Sequence, residues 1–256
     1  MGDERRADPA TLAEAVRAAA DYRPDPHLAP VVLALPFRGT WLARNSPARR
    51  VPSHGTHFLG QTFAIDFVAV RRRRTAAVWD WRTLLAVEPA DRFFGFGRSI
   101  LAPAQGRVVA VHDGEPDHPA RRSPVTLLPY ALTQARRLRQ GLAAITGNHV
   151  ILALQEGGPY VALVHLRAGS VRVRAGDAVT AGQELAECGN SGNSTQPHVH
   201  MQVMDSLDLL TARGVPMAFG NYRAWGRRAS GSRPVSRGIP RQGEIVEPMP
   251  PVPAGA

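Results

Sequence analysis

Between Asn148 and Val203 the chain repeats one device: a short β-branched or apolar run, then a turn containing glycine. His149–Leu154 gives way to Glu156-Gly-Gly-Pro159 and then Tyr160–Leu166. Val171–Leu185 turns around Gly176-Asp177, and the polar loop Gly189–Pro197 leads into His198-Val-His-Met-Gln-Val203. Such regular, glycine-punctuated short strands predict a small antiparallel β-sandwich or barrel. Side chains of a strand alternate faces with a period of two, so His198 and His200 share one side while Val199 takes the other. Two surface histidines on an edge strand would read the same way, and the case for chemistry has to come from the rest of the chain.

A second strong strand signal is Phe63-Ala-Ile-Asp-Phe-Val-Ala-Val70. Ala64, Asp66 and Val68 fall on one face, and Phe63, Ile65 and Phe67 on the other. A carboxylate among such neighbours is costly unless it is paired or holds a metal. Alternation on the strand Tyr160–Leu166 groups His165 with Val161 and Leu163. The single cysteine, Cys188, rules out a disulfide framework and a cysteine-rich zinc site, so any metal must be held by histidine and carboxylate. Its small, apolar neighbours mark Cys188 as a packed residue and not a nucleophile.

Around this core, residues 1–50 read as an N-terminal helix ending before Pro24, then the edge strands Val31–Leu35 and Gly39–Leu42. Residues 51–226 form the main domain, with Trp79–Phe96 irregular or helical and residues 112–147 an insertion containing a helix over Tyr130–Ala144. Residues 227–256 are dense in Pro, Gly, Ser and Arg and read as a disordered basic tail. Within the insertion, Asp113, Asp117 and His118 offer a second metal site, against which a solvated turn is the stronger reading.

The chain has 256 residues, 44% hydrophobic content and a formal charge of +10, all of its positive side chains being arginine. That balance favours acidic partners, whether nucleic acid, anionic lipid or an acidic wall polymer. Only Arg71–Arg74 is a dense run, and no nucleic-acid-binding motif accompanies it, so no nucleic acid is expected. The charged N-terminus is unlike a secretory signal, and the longest apolar run, Leu28–Phe37, is too short to span a bilayer. A soluble, cytoplasmic chain with no transmembrane segment is the expectation.

Taken in order, Ser53-His54-Gly-Thr-His57, Asp66, Ala102-Pro-Ala-Gln-Gly-Arg-Val108, Gly147-Asn-His-Val150, His165-Leu166 and Pro197-His-Val-His200 resemble the M23 family of lysostaphin- and LytM-like zinc metallopeptidases, over roughly residues 51–205. The resemblance implies a mainly β fold, an M23-type antiparallel β-sandwich or barrel-sandwich with an N-terminal helix and a helical insertion. It also implies zinc-dependent hydrolysis of peptide bonds, in peptidoglycan-type or glycine-containing peptides. Carried over residue by residue, Asp66 and His200 become zinc ligands, and His165 and His198 the catalytic pair. The remaining ligand is His54, with His57 as the alternative, because the loop before Asp66 is longer than the usual family spacing.

Two other readings compete. Val173–Leu185 resembles the hairpin of biotinyl and lipoyl carriers, but such carriers need a lysine and this chain has none. A catalytically inactive M23-like module that binds a wall peptide or a partner enzyme is the stronger rival.

Overall fold

The computed structural model describes residues 9–132, 137, 141–226 and 231–250. Helix α1 (Pro9–Asp21) precedes β1 (Val31–Leu33) and β2 (Trp41–Arg44). A kinked 3-10 segment, Phe58–Phe63, then leads into β3 (Ile65–Ala69). Next come α2 (Trp81–Leu85), β4 (Ser99–Leu101), β5 (Gly106–His112), α3 (Pro124–Leu132) and the single turn α4 (Ala143–Thr146). Strands β6 (Asn148–Ala153), β7 (Tyr160–Leu166), β8 (Ala178–Val179), β9 (Glu184–Glu187) and β10 (Val199–Met204) follow. The described chain closes with β11 (Met217–Trp225), β12 (Arg233–Gly238) and β13 (Ile245–Pro248).

The fold is mainly β, as expected. One sheet runs in the order β1-β11-β13-β2-β3-β10-β7-β6-β5-β8, with β12 on β11. Its pairings are antiparallel except β1 with β11. The second layer is the two-stranded pair β4–β9. Ile100, Leu185 and Ala186 from that pair meet Phe67, Leu163, Val199 and Met201 from the large sheet in one buried cluster. This cluster fills one face of the sheet. The opposite face, where Ile151, Ala162, Val164 and Met204 form a smaller cluster, carries the site.

The tail departs from expectation. Composition predicts disorder over 227–256, yet β12 and β13 join the sheet, while residues 227–230 and 251–256 lie outside the described residues. Val246 is fully buried and Glu244, also buried, accepts from Arg233 (2.8 Å) and from the Arg241 amide (2.8 Å). Two adjacent apolar residues and one satisfied carboxylate outweigh the proline content, and Pro234 is tolerated on an outer strand. Because β13 pairs with β2, the strand read as an edge is interior.

The helical expectation for Tyr130–Ala144 also shifts. Helix α3 starts at Pro124, a residue favoured at a helix start, and α4 ends at Thr146, while residues 133–136 and 138–140 lie outside the described residues. Strands β8 and β9 both follow Gly176-Asp177 and do not flank it.

Candidate metal and catalytic centre

Register brings the first two site residues together. His200 on β10 is the direct partner of Asp66 on β3. Directly opposed residues of an antiparallel pair point to the same face, so the carboxylate and imidazole meet without loop rearrangement. His200 Nδ1 lies 2.9 Å from Asp66 Oδ1. His54, in the turn before the 3-10 segment, places Nε2 3.2 Å from both carboxylate oxygens. One donor atom from each of His54, Asp66 and His200 lies within 4.8 Å of the others. His57 does not reach this group: its Nδ1 is 3.0 Å from Thr62 Oγ1 and its ring packs edge-on to Tyr22.

Neighbours fix which nitrogens face the centre. Gln202 Nε2 donates to the Leu59 carbonyl (2.7 Å), so its Oε1 accepts from His200 Nε2 (3.0 Å). That leaves His200 Nδ1 facing Asp66, where it donates to the carboxylate when the ring is protonated and offers a lone pair to a cation when the ring is neutral. Asn45 Nδ2 donates to Asp66 Oδ2 at 2.6 Å, holding the carboxylate from its far side. Asn45 sits at φ 47 after β2, a backbone region that asparagine tolerates better than most residues.

His165 and His198 complete the cluster, their ring centroids 4.8 Å apart. Strand alternation groups His165 with Val161 and Leu163, which lie in the main core, and the structure overturns that grouping. The β6–β7 register shifts between Asn148 and His149, so no β6 residue opposes His165, which takes φ 65. This is a β-bulge, and it turns the imidazole onto the site face beside Val164. Each of these two rings donates through Nδ1 to a backbone carbonyl, His165 to Ser191 (3.0 Å) and His198 to Gln196 (2.8 Å). Both therefore present an unprotonated Nε2 to the centre; that of His198 lies 3.7 Å from Asp66 Oδ1.

The Ser191 carbonyl is held by a close backbone approach. Gly147 and Gly192 both have positive φ, and a Cβ on Gly192 would lie 2.4 Å from the Gly147 nitrogen. No other residue fits there. Buried Asn148 beside it is fully satisfied, accepting from the amides of Gly114 and Glu115 and donating to the carbonyls of Glu115 and Leu166.

Electrostatics separates the roles. Burial works against ionisation of Asp66, but the surrounding imidazoles, with hydrogen bonds from His200 and His54, hold its carboxyl well below the usual range. Burial pushes His165 well below the ordinary histidine range and also lowers His198. For His200 burial acts in the same direction but is outweighed by the contact with Asp66, so its basicity is raised. The five side chains line a cavity of about 310 Å³, with Ile145, Ile151 and Val164 among its apolar walls.

The second cluster read from the sequence is structural. Asp113 accepts from the amides of Gly169 and Val171, and Asp117 from those of Ala168 and Asn190. His118 Nε2 reaches the Gly192 carbonyl. These groups tie the insertion to neighbouring loops. Sequence reasoning missed Asn45 and Gln202. Gln202 could have been found, since it lies two residues after His200 on the same strand face; Asn45 carries no linear signal.

The donor set suits zinc: two imidazole nitrogens and a carboxylate, with no thiolate, the imidazoles lying 3.2 and 2.9 Å from the carboxylate. The model of Peptidase family M23 matches residues 130–212, which include both His165 and His198-Val-His200. The resemblance read from the sequence holds over that span. No curated protein matches the chain.

Among solved structures, the chain is similar to the catalytic domain of the antimicrobial peptidase lysostaphin from Staphylococcus simulans, at 19% identity over 60% of this chain and 77% of that one, with TM-score 0.34. It is also similar to a zinc containing peptidase from Vibrio cholerae, at 18% identity, 70% and 37% coverage and TM-score 0.35. A putative glycyl-glycine endopeptidase lytM from Ruminococcus gnavus matches at 15% identity, 59% and 42% coverage and TM-score 0.33.

Proposed function

We propose that this chain is a zinc-dependent metalloendopeptidase that cleaves peptide bonds in peptidoglycan-type or glycine-containing peptides. The observation that carries the reading is the group His54, Asp66 and His200, gathered in the lining of a cavity with two further imidazoles beside it. The family match over residues 130–212 supports a peptidase. In this reading His54, Asp66 and His200 would hold the ion. A zinc ion there supplies Lewis acidity and brings the pKa of water toward neutrality.

The remaining work falls to the chain's own residues. Asn45 and Gln202 orient Asp66 and His200, much as outer hydrogen bonds orient metal ligands generally. Burial keeps His165 and His198 neutral, so each can take a proton at Nε2 while its Nδ1–H goes on donating to a backbone carbonyl. Once protonated, the same nitrogens are donors to negative charge developing on a carbonyl oxygen. The apolar wall limits bulk water around the reacting bond.

The test is metal content of the purified chain followed by hydrolysis of peptidoglycan fragments and glycine-rich peptides. About one zinc per chain together with cleavage that a chelator stops is the expected result. Zinc binding with no cleavage of any such peptide would favour a binding module.

A further inference from the structure

Helices α2 and α3 are amphipathic in the wrong direction. On α2 the residues Trp81, Leu84 and Leu85 recur at the spacing of one helical face, and on α3 Val125, Leu128 and Leu132 do the same. Such stripes ordinarily face a core. Here all six are exposed, Leu132 at 77% and Trp81 at 62%, and the preceding Trp79 is 69% exposed.

The two helices are locked as one surface from beneath. Arg122, just before α3, makes two 2.7 Å contacts to the fully buried Glu88, just after α2. The Ser123 hydroxyl donates to the Leu84 carbonyl. The outward apolar face is therefore held in place by the Arg122–Glu88 ion pair, and exposed apolar side chains gathered on two such helices mark an interaction site.

Charge identifies the occupant. The exposed turn Arg71–Arg74 ends four residues before Val78, at most about 14 Å of extended chain. Of the three carboxylates between residues 71 and 98, Asp80 is tied to Arg92 (2.8 Å) and Glu88 to Arg122, leaving Asp91. Exposed tryptophan and leucine beside arginine is the composition that enters the boundary between lipid headgroups and acyl chains. A second copy would bring the same positive charge to the contact, whereas an anionic bilayer neutralises it. No helix of the described residues is long and apolar enough to cross a membrane, so the contact would be from one side.

We propose that the α2–α3 face, led by Trp79, Trp81, Leu128 and Leu132 and flanked by Arg71–Arg74, docks the protein on an anionic lipid surface.

The experiment is co-sedimentation of the full chain with vesicles of phosphatidylcholine alone or with one quarter phosphatidylglycerol, beside light scattering of the free protein. The expected result is binding that needs the anionic lipid, weakens with salt, and falls about tenfold or more in W79S/W81S, in L128S/L132S and in R71Q/R72Q/R73Q/R74Q. The substituted side chains are exposed and their contacts, such as Arg122 over Trp79 and Arg73 to the Gly226 carbonyl, lie at the surface, so melting temperatures should stay close to the parent value, and the three variants are read separately. Equal binding to both vesicle types, or unchanged binding in all three variants, overturns the proposal. A parent dimer that W79S/W81S converts to monomer, without vesicle binding, assigns the face to a second copy instead.

Discussion

Asp66 and His200 are direct cross-strand partners, with carboxylate and imidazole 2.9 Å apart, and every other polar group of the site is arranged around that pair. His54 approaches the same carboxylate from the loop before β3, and His57 packs against Tyr22 instead. Asp66→Ala and His54→Ala should each abolish stoichiometric zinc, whereas His57→Ala should keep it. Metal analysis after desalting decides. Loss of zinc in the His57 variant alone would move the third ligand to that residue.

Gln202 should matter through His200 and not through substrate. Gln202→Leu removes the acceptor that keeps the proton on His200 Nε2, and leaves the Leu59 carbonyl without its donor. Zinc affinity should fall about 10–100-fold. With zinc supplied in excess, turnover should recover. A competition titration with a chelating dye gives the affinity, and persistence of the full defect at saturating zinc would contradict a positioning role.

His165 lies outside the donor group but inside the cavity. His165→Ala should retain about one zinc per chain and lose roughly 10²–10⁴-fold in turnover, the usual range for a general acid–base group. Parent-like cleavage by this variant would remove His165 from the mechanism.

Acid should destabilise the chelator-treated protein. Burial depresses the folded-state basicity of His165 and His198, so as pH falls through the unfolded value, about 6.5, the unfolded chain binds the extra protons and stability drops. His200 is shifted the other way; its contribution is complete below that pH and is lost as pH rises through its folded value. Two groups oppose one, so melting temperature should decline from pH 7 to pH 5, with a shallower decline in His165→Gln. A flat profile would show that these rings are not held neutral.

Asn148→Leu should cost about 3 kcal/mol, because it leaves the Gly114 and Glu115 amides and the Glu115 carbonyl without this partner, while the Leu166 carbonyl keeps the Ser191 hydroxyl. Denaturant unfolding measures this. A cost below about 1 kcal/mol would mean that the loop repacks with water.

Much of the site was legible because strand alternation is local. Asp66 opposite the faces of Ile65 and Phe67, and His198 with His200, follow from a period of two. The same rule misplaced His165, since a bulge adds one residue and moves the next side chain to the other face. The tail was misread for a different reason. Its average composition is that of a disordered segment, yet the short pair Ile245-Val246 finds an open strand edge at β2, which no local window reveals.

By itself the sequence determined the strand periodicity, the cysteine-free donor set and the order of the histidines, because these depend on residue type and near-neighbour spacing. Tertiary structure alone placed His54 beside Asp66 and His57 beside Tyr22, aimed His165, and brought Asn45 and Gln202 to the centre. Those outcomes depend on register and loop closure, which bring together groups separated by 21 residues, as in Asn45 and Asp66, or by 134, as in Asp66 and His200.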